Sequence, residues 1–249
     1  MRDRDPRHNR ARGVPRVRHR SPGRCSVIRR FQVKGSPLSP SRKRFQNIMA
    51  HSLPAASRRP TLTYERVRFT PLQMQNIYRH FRWNNDPELN RLDSEVPYEE
   101  ESFGQFKQRF EQLCERPSPA HRDFEIHDRA EDTLIGIAYV ARIDAHHRHA
   151  RLGVTIGERA YWGEGYGRES MQLLLRFCFD HLALHRVSAA TFEYNTAWRD
   201  LVEGMGFTKE GTARDYLYRD GRFWDKENYA LLESEYRVHS SPEPASISR

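Results

Sequence analysis

The segment Tyr161-Trp-Gly-Glu-Gly-Tyr-Gly-Arg-Glu-Ser170 sets Gly163, Gly165 and Gly167 at alternate positions just before an amphipathic run. Residues without a Cβ let the chain turn tightly and bring its N–H groups against a ligand. A helix that follows such a turn adds unpaired N–H groups and a partial positive charge, so the chemistry implied is main-chain capture of an anion such as a diphosphate. A glycine turn that only lets a helix and a strand pack closely has the same composition. No Gly-Lys-Ser or Gly-Lys-Thr follows the glycines, which removes a P-loop. Gly165-Tyr-Gly167-Arg-Glu-Ser170 comes near the dinucleotide fingerprint, but the loop does not follow its strand directly and no second strand ends in an acid about 20 residues on.

Such a loop works only if its flanks position it. Leu152-Gly-Val-Thr-Ile156 is short, β-branched and apolar and reads as a strand, while Met171, Leu174, Leu175, Cys178 and Leu182 recur on one helical face. Earlier in the chain, Leu62–Phe69 alternates like one strand, Thr70-Pro71 signals a helix start, and a helix is predicted over Leu72–Arg82. A second helix is predicted over Ser102–Leu113, where Phe103, Phe106, Phe110 and Leu113 form an apolar stripe that reads as core. Strands follow at Asp123–Ile126 and Leu134–Ala141. Later, Val187–Glu193 reads as a strand, and Asn195 stands where its amide would cap a short helix holding Trp198, Leu201, Val202 and Met205. His146, His147 and His149 crowd the predicted turn Asp144–His149, but without helical HxxxH spacing or a cysteine pair they read as solvated, and no metal is expected.

Composition bounds the rest. Of 249 residues, 37% are hydrophobic, enough for one medium domain with tails. The net charge of +9 is unevenly spread: residues 1–60 hold 17 Lys and Arg against two Asp, so that segment carries +15 and the remainder −6. The basic segment is rich in Arg, Pro and Ser and reads as a disordered extension. It has three readings: a mitochondrial presequence, an arm that touches nucleic acid or the ribosome, or the product of an upstream start, with translation from Met49 removing it. Residues 237–249 read as a flexible tail. Cys25, Cys114 and Cys178 are far apart and suggest no disulfide framework, Cys178 reading as core. No apolar run approaches the roughly 18 residues of a membrane span, and no membrane partner is expected.

Trp162-Gly-Glu-Gly165-Tyr-Gly167 is similar to the Gln/Arg-x-x-Gly-x-Gly/Ala loop of the GNAT acetyltransferases, with Trp162 replacing the first residue. Leu184-His-Arg-Val187, Asn195, Gly204-Met-Gly-Phe207, Glu210-Gly211 and Asp215-Tyr-Leu-Tyr-Arg-Asp-Gly221 extend the likeness. With Trp83-Asn-Asn-Asp-Pro-Glu88, they make residues 62–236 resemble the branch of ribosomal-protein and spermidine N-acetyltransferases. The resemblance implies an α/β fold: a single GNAT-like domain over 62–236 whose central mixed, mostly antiparallel sheet is flanked by helices. It implies acetyl-CoA as co-substrate, no metal, and direct acetyl transfer to a primary amine: a protein N-terminus, a polyamine or a small amine. A cytoplasmic enzyme is expected, or a mitochondrial one if residues 1–60 are a presequence.

By the same resemblance, the main chain of Thr155, Ile156 and Gly157 would hold the pantetheine arm like an added strand. Trp162 and the N–H groups of Gly163, Glu164, Gly165, Tyr166, Gly167 and Arg168 would meet the pyrophosphate, with Arg168 as a charged partner and the Glu164 side chain turned to solvent. Asn195 would approach the reacting end of the cofactor. Three positions depart from the family pattern: Val202 stands where many members have a tyrosine acid, Trp198 where some have a serine, and Arg151 where a strand glutamate is frequent. The leaving thiolate would then need water or another hydroxyl, Tyr166 or Tyr194. Asp215 is the preferred base and Glu193 the second choice, and both also read as surface ion-pair residues. These departures motivate the alternative of a non-catalytic acyl-CoA-binding or adapter protein with a basic N-terminal arm.

Overall fold

The computed structural model describes residues 62–116 and 118–240. The basic segment 1–60, with its three readings, and residues 241–249 lie outside the described residues.

The chain enters through a hairpin. Strand β1 (Leu62–Thr63) pairs antiparallel with β2 (Val67–Thr70), setting Leu62 opposite Phe69. The single strand predicted over Leu62–Phe69 is thus two. Tyr64 N–H donates to the Val67 carbonyl at 2.9 Å, which closes the turn. The predicted helix also starts late: Pro71 and Leu72 stay outside, a 3₁₀ turn covers Met74–Asn76, and α1 runs over Ile77–Asn84. The Gln73 N–H, which a Thr70 start would have placed inside the helix, donates to the Glu125 carboxylate at 2.9 Å.

A further helix, α2 (Pro87–Asp93), has Pro at its first position and Asp86 as N-cap, whose Oδ1 accepts from the N–H groups of Glu88 (2.9 Å) and Leu89 (3.2 Å). Helix α3 (Phe103–Glu115) begins with a capping box between Ser102 and Gln105. Phe106 and Phe110 of α3 bury against Ile77 of α1, whereas Leu113, predicted on the same core face, is 40% exposed.

The sheet comprises β1, β2, β3 (His121–Asp128), β4 (Leu134–Asp144), β5 (His149–Ile156), β6 (Arg186–Phe192), β7 (Thr208–Arg219) and β8 (Arg222–Leu232). Its spatial order is β1-β2-β3-β4-β5-β6-β8-β7, and every pairing is antiparallel except β5 with β6. Between β5 and β6 the chain forms α4 (Tyr166–Arg176), which continues as a π turn over Phe177–His181. Helix α5 (Thr196–Gly204) follows β6, and α6 (Glu233–Ser240) continues past Tyr236 into the segment predicted to be flexible. The apolar face of α4 and its π turn packs Met171, Leu174, Leu175 and Cys178, all without solvent exposure, against Leu152, Val187 and Leu231 of the sheet. Burying a side chain of this size contributes about 1.5–3 kcal/mol, which fixes α4 and hence the loop before it. No helix among the described residues is long and apolar enough to cross a membrane.

Candidate functional site

Strands β5 and β6 are neighbours for three residue pairs only, His149 with Arg186, Ala150 with Val187 and Arg151 with Ser188. Beyond that they part. Residues Leu152 to Ile156 remain paired with β4, whereas β6 continues to Phe192 in register with β8. In an antiparallel pair, alternate residues direct N–H and C=O away from the partner, so the β6-facing edge of β5 carries unpaired main-chain groups. They open onto a cleft of about 630 Å³ whose lining includes Thr155, Ile156, Trp162, Asn195 and Arg168.

The glycine loop closes one end of this cleft. Gly163 (φ 77°) and Gly165 (φ 86°) take left-handed conformations that cost a residue with a Cβ roughly 1–2 kcal/mol. Gly165 is the N-cap of α4 and supplies no capping side chain, so the first-turn N–H groups of Tyr166, Gly167 and Arg168 have no intrahelical partner. Arg66 holds the loop from behind: its Nε and backbone N–H bind the Glu169 carboxylate at 2.5 and 2.9 Å, and its Nη2 donates to the Glu164 carbonyl at 3.0 Å. The Glu164 side chain is exposed, outside the cleft. Trp162 fixes the other side by donating its indole N–H to the Ile156 carbonyl at 2.7 Å.

Several predicted residues have other employment. Gly157 does not line the cleft: its N–H donates to the Ile135 carbonyl at 2.9 Å, and a Cβ there would stand 2.3 Å from the Trp83 indole. The Tyr166 side chain turns away, donating its hydroxyl to Asp128 at 3.2 Å, and the Tyr194 hydroxyl donates to the Arg91 carbonyl at 2.7 Å. Asn195 lines the cleft and caps α5, its Oδ1 accepting from Trp198 N–H at 3.2 Å and its Nδ2 donating to the Leu92 carbonyl at 3.1 Å. Asn195→Ala is expected to lower unfolding free energy by about 1–2 kcal/mol, read as a lower urea midpoint at constant m; an unchanged midpoint would count against this bridging role.

Asp215 and Glu193 do not belong to the cleft lining. β7 bulges between Ala213 and Leu217, which places Asp215 at φ 50° on the exposed strand, with its N–H on Asp225 at 2.9 Å. Glu193 is occupied by Arg222 at 3.2 Å and by the Asp225 N–H at 3.4 Å. Neither is placed to act as the base.

Other groups stand where a base and donors would be needed. Asp93, at the end of α2, reaches the cleft and accepts from Thr155 Oγ1 at 3.1 Å. It is exposed to the cleft, and the hydration it loses there raises its carboxyl above the ordinary aspartate range, against the opposing pull of Thr155 and Arg151. The Tyr139 ring lies over Gly153, where a Cβ would meet its hydroxyl oxygen at 2.5 Å. Burial, with the nearby Asp93 charge, pushes the Tyr139 hydroxyl up to about 12, so it remains a hydrogen-bond donor at neutral pH. Arg151 also lines the cleft, and its Nε is buried without a hydrogen-bond partner among the described residues. Asp93 and Tyr139 were missed because α2 and β4 reach this space only through tertiary packing. Asp93 follows an Asp-Pro helix start, the one local signal that could have drawn attention to α2. Of the crowded histidines, His147 stacks on His149 and meets His146 edge to face, and no metal-binding group of His, Cys, Asp and Glu occurs among the described residues.

The family model described as acetyltransferase (GNAT) domain matches residues 66–208. An uncharacterised N-acetyltransferase of Bacillus licheniformis is 28% identical over 176 residues, 71% of this chain and 98% of its own. The spermidine N(1)-acetyltransferase of Vibrio cholerae is 28% identical over 61% of this chain and 85% of its own, and the ribosomal protein uS5 alanine N-acetyltransferase of Escherichia coli 32% identical over 45% and 58%. A crystal structure of the Vibrio cholerae spermidine N-acetyltransferase in complex with CoA and spermine superposes with a TM-score of 0.62 at 25% identity, covering 69% of this chain and 98% of that one.

Proposed function

We propose that this chain, which belongs to the GNAT acetyltransferase family, binds acetyl-CoA along the free edge of β5 and transfers its acetyl group directly to a primary amine in the cytoplasm. The family makes the protein an acyltransferase; the finer reading rests on the parting of β5 from β6 after three pairs, with a glycine-rich loop at one end of the cleft. An extended pantetheine arm fits an unpaired strand edge as an added strand would. The diphosphate fits the first-turn N–H groups of Tyr166, Gly167 and Arg168, where helix polarity favours negative charge. Acetyl-CoA supplies an activated thioester, so the chain's own residues need only position the amine, take its proton and stabilise developing negative charge. The Tyr139 hydroxyl, which stays protonated at neutral pH, is a donor for that charge. A cleft with these groups fits catalysis better than an adapter role, even though Val202 is buried in the core and cannot donate a proton.

In an assay of free CoA thiol with acetyl-CoA and a panel of amines, release is expected only when an amine is present. Tight acetyl-CoA binding with no amine-dependent release would instead identify a non-catalytic acyl-CoA-binding protein.

A further inference from the structure

Resting on acetyl transfer at this cleft, we propose that the acceptor is an α-amino carbonyl compound, a chain N-terminus or an amino acid, whose ammonium is held by Asp93 and whose carbonyl oxygen is held by Arg151. Two carboxylates that line the cleft are already paired. Glu95 accepts from Lys226 and, at 2.9 Å, from the Tyr216 hydroxyl. Glu88 is paired with Arg159 at 2.8 Å. Asp200 lies on α5, which flanks the glycine loop, as the approach of Leu201 to Gly167 records. Asp93 is left with a hydroxyl partner, Thr155, and no ion-pair partner among the described residues.

Arg151 has the complementary lack. Its guanidinium makes no hydrogen bond or ion pair among the described residues, and its Nε is a buried donor without an acceptor. A buried donor left unmade costs about 1–3 kcal/mol, so a ligand oxygen that satisfied the guanidinium would be strongly favoured. Arg151 and Thr155 lie on the same face of β5, four residues apart, with the Tyr139 ring over Gly153 between them. Asp93 and Arg151 both line the cleft, which thus offers a carboxylate without an ion pair and a guanidinium to one ligand. A polyamine brings several positive charges to one free carboxylate and an unshielded cation, and it has no oxygen for Arg151. An α-amino carbonyl group brings one ammonium and one acceptor oxygen.

In the transfer step, the ammonium gives a proton to the Asp93 carboxylate. The freed nitrogen lone pair forms the C–N bond at the thioester carbonyl carbon, and the C–S bond breaks with its electron pair on sulfur. The second nitrogen proton passes to the thiolate, leaving an amide and free CoA thiol, and Asp93 returns its proton to water.

The test compares kcat/KM, counted per ammonium form, for alaninamide, free alanine, an alanine-initiated peptide, spermidine and sec-butylamine, which keeps the alanine branch but lacks the carbonyl. The carbonyl compounds are expected to exceed sec-butylamine and spermidine about ten- to hundredfold, the range for a charge-assisted hydrogen bond. The alaninamide to sec-butylamine ratio should fall to near one in Arg151→Met and to an intermediate value in Arg151→Lys, with acetyl-CoA titration verifying that each variant is folded. Preference for free alanine or for the peptide identifies the source of the α-amino carbonyl group, and either agrees with the proposal. Spermidine as the best acceptor, or an equal loss for every amine in the Arg151 variants, would overturn it. No transfer to any amine despite acetyl-CoA binding would defeat the acetyltransferase reading itself.

Discussion

Replacing Glu125 by Leu is expected to lower the unfolding free energy by about 3–5 kcal/mol, the range for breaking a buried charged network by removing one member. Glu125 has no solvent exposure. Its carboxylate accepts from Asn76 Nδ2 at 2.7 Å, Gln73 N–H at 2.9 Å, His80 Nε2 at 3.0 Å and His127 Nε2 at 3.2 Å. Leucine would fill much of the volume but remove the acceptor these four donors share, two of them on the buried His80 and His127. The network reaches the cleft indirectly, because α1 begins at these donors and carries Trp83, which packs against Gly157 at the end of β5.

Burial alone would raise the Glu125 carboxyl, but the bonds from His127, His80 and Gln73 outweigh it and hold the group at about 2, against 4.5 ordinarily. A depressed folded-state value gives stability that is fully present above 4.5 and lost as pH falls through 2, about 3 kcal/mol over that window. Urea unfolding of the wild type and Glu125→Gln should therefore converge as pH is lowered from 5 to about 2. A constant difference across that range, or a wild-type midpoint for Glu125→Leu at pH 7, would refute the account.

The second large effect belongs to the loop. Gly165→Trp is expected to weaken acetyl-CoA binding at least about 100-fold, roughly 3 kcal/mol. The left-handed φ of 86° is strained for any side chain, and a Cβ there stands 3.0 Å from Arg66 Nη2, which clamps the loop. An indole at the N-cap would also occupy the space in front of the Tyr166, Gly167 and Arg168 N–H groups. Gly104→Ala is the control: its Cβ meets nothing within 4 Å in α3, so folding should be kept and affinity unchanged. Isothermal titration checks both, and wild-type affinity in folded Gly165→Trp would remove the loop from the diphosphate site.

What could be read in the sequence was local. Gly163 and Gly165 announce a turn by lacking side chains, and the stripe from Met171 to Cys178 announces the helix that the turn enters. The mixed, mostly antiparallel sheet followed from the resemblance. Features made by distant parts of the chain were not legible. Asp215 looked suitable in a strand-like run, but a bulge against β8 turns it away from the cleft. Gly157 looked like the natural end of a ligand-binding edge until tertiary packing placed Trp83 on it. Asp93 and Tyr139 meet only when α2 folds against β4 and β5, and no periodicity in either segment records that meeting. The β1–β2 hairpin was missed although the apolar positions change phase, from Leu62 and Tyr64 to Val67 and Phe69, because the turn between them is fixed by the remote contact of Arg66 with Glu169.

Amide hydrogen exchange of the full chain with and without acetyl-CoA tests the central claim most directly, because it locates the ligand on the backbone. The account predicts slowed exchange along β5 from Leu152 to Ile156 and in the loop from Gly163 to Arg168, with β7 unaffected. Protection confined to other elements, or unchanged exchange in both segments at saturating acetyl-CoA, would contradict it.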